Sequence, residues 1–408
     1  MKNIIFRDDI LGLRAFAIIP IIFFHFDYVF FKGGFIGVDI FFVISGYLIT
    51  SIIYTNIDNF NFIVFIERRA RRIIPLLLVV IILTIPISYL FMLPKNLFDF
   101  GQSVIFSPIF LSNFLFWFEE GYWELTSQMK PLLHTWSLSV EWQFYIFFPL
   151  IFLFKKKKNI ILSFFIFWVI SLVVAVNQEN ELLTITTDKM LSIGNFYLPF
   201  SRFWEFLTGG LIFFFERDIK FKKKIYNNIL SLLGVSLVLW SIYYLDESLI
   251  YPNLFSLMPV IGISLIIIYI QKSSLIYNLI TTKIIKHVGK ISYSLYLWHF
   301  PIISIINLND FSEVQLLDFN INKIKIFILI IFLSIFSYKF IEKPFRSQNI
   351  FPTKKLLLII SIFSLMLIIL LIISIRTDGL KYIYSKFYDS YNNYEFDNKN
   401  LHIGWSKM

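Results

Sequence analysis

Apolar runs about twenty residues long recur along nearly the whole chain, broken by short clusters of Lys, Arg or polar turn residues. An α-helix rises about 1.5 Å per residue, so roughly 20 apolar residues cross the ~30 Å hydrocarbon layer of a bilayer. Run length and flanking charge predict about eleven spanning helices, at roughly 10–31, 34–55, 73–92, 137–154, 159–176, 199–215, 226–245, 253–270, 291–308, 323–341 and 356–375. The segment 98–118 is apolar too, but Pro108, Asn113 and its short length mark it as a re-entrant or half-buried piece. The predicted fold class is all-α: a polytopic transmembrane helical bundle of about 10–11 spans plus that segment. Residues 1–346 form its core and 347–375 supply a further C-terminal transmembrane helix. The Tyr-, Asn- and Asp-rich tail, 376–408, has little periodicity and reads as an extracytoplasmic linker or disordered segment.

Polar residues inside these runs carry the chemistry. Arg14 and His25 lie in one apolar stretch, GLRAFAIIPIIFFHF. A charged side chain at the bilayer centre costs about 2.5–3.5 kcal/mol on insertion scales, so it faces a protein interior or an aqueous cavity. Their separation is close to three helical turns, which points both side chains the same way about 16 Å apart. One then lies near the membrane surface and the other deep within. That arrangement suits a cation holding a charged cosubstrate while an imidazole reacts further in. Pro20 lies between them and is expected to kink the helix toward a cavity.

Composition narrows the class. The chain is 57% hydrophobic and 16% charged over 408 residues, against about 45–50% and 25% for soluble domains. Its net charge of +10 does not indicate nucleic acid, because the basic residues sit between spans. They cluster at Arg68, Arg69, Arg71 and Arg72, at Lys155 to Lys158, at Arg217 to Lys224, at Lys272 to Lys290 and at Lys339 to Lys355. The alternate loops hold almost none. The positive-inside rule then predicts a multi-pass protein of the cytoplasmic (inner) cell membrane with a cytoplasmic N-terminus. Counting 98–118 as a full span would invert every later cluster. The first run carries Arg14 and no small-residue cleavage site, so it reads as a retained span. The absence of cysteine excludes disulfides and thiolate chemistry. No GxGxxG, P-loop, GxSxG or HExxH motif is present, and no metal is predicted.

Seven blocks, in order, carry a resemblance: LGLRAFAIIPIIFFHF, GGFIGVDIFFVISGYLIT, ERRARRIIP, PLLHTWSLSVEWQFYIFFPL, RFWEFLTGGL, ISYSLYLWHFPII and IEKPFR. Together they resemble the acyltransferase-3 family, integral-membrane O-acyltransferases of bacterial surface polysaccharides. The resemblance implies transfer of an acyl group, usually acetyl, from cytoplasmic acyl-CoA to a hydroxyl of an extracytoplasmic or lipid-linked glycan. Acyl-CoA is then a cosubstrate, and no permanently bound cofactor is implied. Arg14 and His25 match the family's Arg-x10-His pair. Its Arg-x-x-Arg motif matches Arg68/Arg71 or Arg69/Arg72. Where many relatives carry a double Glu, Trp142 leaves Glu141 alone. The segment IRTDGLKYIYSKFYDS looks like the linker that precedes an SGNH-type domain in some members, but no GDSH block follows. A separate SGNH-type partner protein, a core acting alone and a split gene are all compatible with that.

The expected catalytic residues are His25, as general base or acyl carrier, with Arg14 and Glu141. Arg14, Arg68, Arg69, Arg71 and Arg72 are the expected acyl-CoA-binding residues, because a guanidinium binds phosphate bidentately. Basic helix ends also anchor to anionic lipid, the plainer alternative for the last four. His134, Trp136, Glu205, His299 and Asp39 are the expected acceptor-binding residues. Against that, Arg202 and Glu205 are spaced to neutralise each other, and Asp39 lies among glycines that suit helix packing. Partners are expected to be acyl-CoA, a surface glycan and the bilayer, with no nucleic acid. The rival reading is a glycan or acyl-group transporter, which also needs buried Arg, His and Glu, although no internal repeat is visible.

Overall fold

Leu, Ile and Phe dominate the long runs, which fold as helices that satisfy their own backbone groups in lipid and accommodate Pro20, Pro75, Pro86 and Pro301 within them. The computed structural model describes residues 7–92, 94–119, 130–177, 196–219, 223–311 and 323–376. In chain order its helices are α1 (Asp8–His25), α2 (Gly37–Tyr54), α3 (Phe62–Phe91), α4 (Pro94–Phe106), α5 (Ser112–Glu119), α6 (Thr135–Phe147) and α7 (Lys157–Val176). There follow α8 (Phe203–Ile219), α9 (Lys224–Tyr244), α10 (Leu257–Tyr269), α11 (Leu275–Ile280), α12 (Lys283–Phe311), α13 (Lys323–Ser337), α14 (Lys343–Phe345) and α15 (Thr353–Arg376). No strand occurs among the described residues.

All eleven expected spans overlap helices, and among the described residues six segments are long and apolar enough to cross a membrane by themselves. α1 falls short because it carries Asp8, Asp9 and Arg14 in 18 residues. α8 and α10 are only 17 and 13 residues long. The outer helices present apolar side chains outward, as Phe165, Phe167 and Ile170 do on α7, which fits contact with lipid.

Several boundaries differ from expectation. The first helix stops at His25 instead of running on to residue 31, because Asp27 adopts a left-handed conformation (φ 56°). The apolar sequence FFHFDYVFF gave no such signal. α3 starts eleven residues early, so Arg68 to Arg72 lie within the helix rather than ahead of it. The 98–118 segment is two helices, α4 and α5, of 13 and 8 residues. At 1.5 Å per residue these reach about 20 and 12 Å, so neither spans a bilayer. Ser107 and Ser112 hydrogen-bond Thr135 and Ser139 at 2.9 and 2.8 Å, tying the pair to the start of α6. Asn113, fully buried, pairs with Gln143 at 2.9 Å. Phe65, early in α3, meets Tyr145, late in α6. The two helices are thus antiparallel, and α4 and α5 bring the chain back without a net crossing. The tail beyond Arg376, including His402, lies outside the described residues.

Two helices position the site. A Cβ on Gly289 of α12 would collide with the Leu11 carbonyl of α1, and three residues further along each helix Arg14 meets Ser292. α1 and α12 therefore approach to backbone contact, running in the same direction. At one end of the bundle Arg7 bridges Asp9 and Glu216, at 2.6 and 2.8 Å, and Lys286 pairs with Asp8 at 2.7 Å. At the other, Gly33 donates to the Ile242 carbonyl (2.8 Å) and Lys323 to that of Phe26 (2.5 Å).

Candidate active site

Because α1 and α12 touch along their length, the polar residues of one face those of the other. Arg14 donates from Nε and Nη2 to Ser292 Oγ at 3.1 and 2.9 Å. Eleven residues on, His25 lies with its ring 5.4 Å from that of His299. Ser292, Tyr296 and His299 follow at i, i+4 and i+7, which places them on one stripe of α12. The one-face geometry expected for Arg14 and His25 is present, and α12 is what they face.

Around Arg14 is a pocket with about 60 Å³ of free space, whose wall mixes polar groups with Val38, Phe41, Phe42, Ile44, Ile73 and Leu138. A water needs roughly 10–15 Å³ by this measure, so it holds a few waters. Arg72, Ser45, Glu141, Tyr145, Ser137 and Tyr296 line it with Arg14. Glu141 Oε1 accepts hydrogen bonds from Ser45 Oγ (2.6 Å) and from the Tyr145 hydroxyl. Arg14 forms no ion pair with Glu141 or Asp39. Two guanidinium groups therefore share a pocket with one carboxylate, and the excess of positive charge suits an anion.

The four arginines of α3 separate by helix face. Arg72 lines the pocket, and Arg69 lies behind it, 5.8 Å from the Tyr145 ring. Arg71 turns away and is buried, donating to Glu67 (2.8 Å), to the carbonyls of Phe345 (3.3 Å) and Phe351 (2.6 Å) and to Thr353 Oγ1 (3.1 Å). It fastens α3 to the chain between α14 and α15. Arg68 is exposed. Three residues turn a helix by about 300°, so positions 69 and 72 share a face, and the register facing the pocket is Arg69/Arg72.

Beyond the pocket lies a histidine cluster. His134 precedes α6, and its ring is 5.7 Å from that of His299. Tyr296 stands between the two regions, with its ring 5.3 Å from His299 and 5.5 Å from His134. Its hydroxyl bonds Ser137 Oγ (2.6 Å) and donates to the His134 carbonyl (2.9 Å). His134 is buried rather than displayed at the outer surface, and neither of its ring nitrogens has a partner among the described residues. His25, His134 and His299 are far apart in sequence, so only the fold brings them together. No group of His, Asp and Glu among the described residues has metal-site geometry. Ser45 was expected, with Asp39, to pack helices, and Ser292, Ser137 and Tyr296 were not expected. Their one signal was the helical spacing of Ser292 and Tyr296 ahead of His299.

The remaining expected residues build a different centre. Arg202 pairs with Asp39 (3.2 Å) and Glu205 (3.0 Å), and the Tyr251 hydroxyl donates to Asp39. The Arg202 guanidinium lies 4.4 Å from the Phe196 ring and 5.3 Å from that of Trp136. Asp39, Glu205 and Trp136 thus belong to a buried ion-pair knot joining α2, α6 and α8, and the structure does not bring them to the histidines. Pro20 likewise faces away, lining an apolar recess with Phe16, Ile19 and Tyr243.

The model of a family described as an acyltransferase domain matches residues 7–375. The O-acetyltransferase OatA of Staphylococcus aureus strain NCTC 8325 is 31% identical over 364 residues, covering 83% of this chain and 57% of that protein. OatA of strain MRSA252 gives the same values, 31% over 364 residues. The chain therefore spans little more than half the length of these curated relatives. No solved structure matches it.

Proposed function

Because this chain belongs to the acyltransferase domain family, we propose that it is a membrane O-acetyltransferase that moves an acetyl group from acetyl-CoA to a hydroxyl of an extracytoplasmic or lipid-linked glycan. The observation that carries the reading is the facing pair of polar stripes: Arg14 with Ser292, and His25 with His299. The basic end of the bundle faces the cytoplasm and admits the CoA. Arg14 and Arg72, with Arg69 behind, hold its phosphates or pantetheine carbonyls through charge-assisted hydrogen bonds. The pocket is small, so the donor enters by displacing its waters and swinging the long Arg72 side chain aside. The thioester then lies near Tyr296, within reach of the histidines.

In the reaction the hydroxyl oxygen bonds to the thioester carbonyl carbon as the C–S bond breaks, and an imidazole handles the proton or the acyl group. His25, at the end of α1 and only half-buried, is the histidine that a glycan from the opposite side reaches first. Glu141, held by Ser45 and Tyr145, balances the charge of the arginines and fixes the pocket wall. A separate SGNH-type protein is a candidate partner for the final transfer.

The test is CoA release and acetyl incorporation by the full chain in lipid nanodiscs, supplied with acetyl-CoA and glycan from its own cell envelope. The expected result is glycan acetylation that falls about 10²-fold or more in His25→Ala, the loss typical of removing an imidazole that handles the proton or the acyl group. Glycan translocation without CoA release would overturn the proposal in favour of a transporter. Undiminished acetylation by His25→Ala would remove His25 from the mechanism.

A further inference from the structure

The histidines of the cluster are not equivalent. His299 Nδ1 lies 2.6 Å from the carbonyl oxygen of Tyr296 and 3.2 Å from that of Leu295. Carbonyl oxygens only accept, so Nδ1 carries the hydrogen and Nε2 of the neutral ring is a bare lone pair. That lone pair is fully buried and has no partner among the described residues. A buried acceptor left without a donor is unfavourable, and a bound hydroxyl offsets that penalty. No comparable hydrogen bond sets the tautomer of His134, whose two ring nitrogens are both unpartnered among the described residues.

Resting on the acyl-transfer reading above, we infer that His299, through Nε2, is the base that takes the proton of the attacking hydroxyl. As the hydroxyl oxygen bonds to the carbonyl carbon and the C–S bond breaks, the proton moves to Nε2. It then passes to the departing thiolate, which leaves ester, CoA thiol and a neutral imidazole. The Tyr296 and Leu295 carbonyls hold the ring in one tautomer throughout and stabilise the transient imidazolium, the part a carboxylate plays beside other catalytic histidines. Tyr296 has two functions here. Its carbonyl orients the base, while its side chain lines the donor pocket.

The experiment compares two nucleophiles on acetyl-CoA in the detergent-purified full chain. Water must lose a proton to attack, as a sugar hydroxyl must. Hydroxylamine attacks thioesters as the neutral amine and needs no such base. His299→Asn retains a side-chain N–H to meet the Tyr296 carbonyl and deletes the basic nitrogen. His299→Gln restores a polar group near the Nε2 position without basicity, and serves if the first variant fails to fold. The expected result is a ratio of hydrolysis to hydroxamate formation at least 10²-fold below wild type in either variant, the lower bound for a lost general base. An unchanged ratio, whether both rates fall together or neither falls, overturns the assignment, because a structural defect lowers both alike. If wild type releases CoA to neither nucleophile above the enzyme-free blank, the acyl-transfer reading itself fails.

Discussion

Replacing Arg202 with Met removes the one cation between two carboxylates that lie out of water. Asp39, Arg202 and Glu205 have side-chain exposures of 2%, 1% and 0%. The guanidinium also donates to the Phe196 carbonyl at 3.1 Å and lies against the rings of Phe196, Trp136 and Tyr251. Met recovers part of the packing but none of the charge. Removing one partner of a buried ion pair costs about 3–5 kcal/mol, because the other charge is left uncompensated. Here two carboxylates are left, so the upper half of that range is expected. Replacing the whole knot with neutral groups, R202M with D39N and E205Q, should recover most of the loss, since isosteric replacement of a buried ion set is often neutral. Reversible unfolding in mixed SDS–detergent micelles, followed by Trp fluorescence, measures both variants. A single R202M variant within 1 kcal/mol of wild type, the scale of an exposed pair, would refute the view that this knot is a desolvated, mutually dependent ion set.

The arginines of α3 should separate by assay. Arg72→Ala is expected to raise the KM for acetyl-CoA by 10-fold or more with little change in melting temperature, since each charge-assisted hydrogen bond is worth about 1.5–3 kcal/mol. Arg71→Ala, which strands the Phe351 carbonyl and removes the cation beside Glu67, should instead lower the melting temperature. Arg68→Ala should leave KM and melting temperature within error of wild type. Gly289→Val should collide with the Leu11 carbonyl and push α12 away from α1. Cysteine pairs introduced at Arg14 and Ser292 would then crosslink more slowly than in the Gly289 background, and equal rates would contradict the backbone-contact argument.

How much was legible depended on which physical rule applied. Arg14 and His25 stood out because polar side chains in an apolar run are expensive, and their helical spacing carried directly into a shared face. The eleven helices followed from run length, since hydrogen bonds within each helix require nothing from its neighbours. The 98–118 segment was readable for the same reason: it was too short and too polar at Asn113 to cross. Partnerships were not legible. The i,i+3 spacing of Arg202 and Glu205 hinted at their pairing, but nothing local distinguishes Asp39 as a counter-ion of Arg202 rather than as an acceptor ligand, because which helix a buried charge meets is a matter of packing. His134 and His299 looked like isolated residues, 165 positions apart, until the parallel contact of α1 with α12 and the placement of α6 beside them made a cluster. The choice of Arg69/Arg72 over Arg68/Arg71 likewise required the face of α3. Helix existence is written in the length of each apolar run. The site is set by the close approach of three helices, which the one-dimensional pattern does not contain.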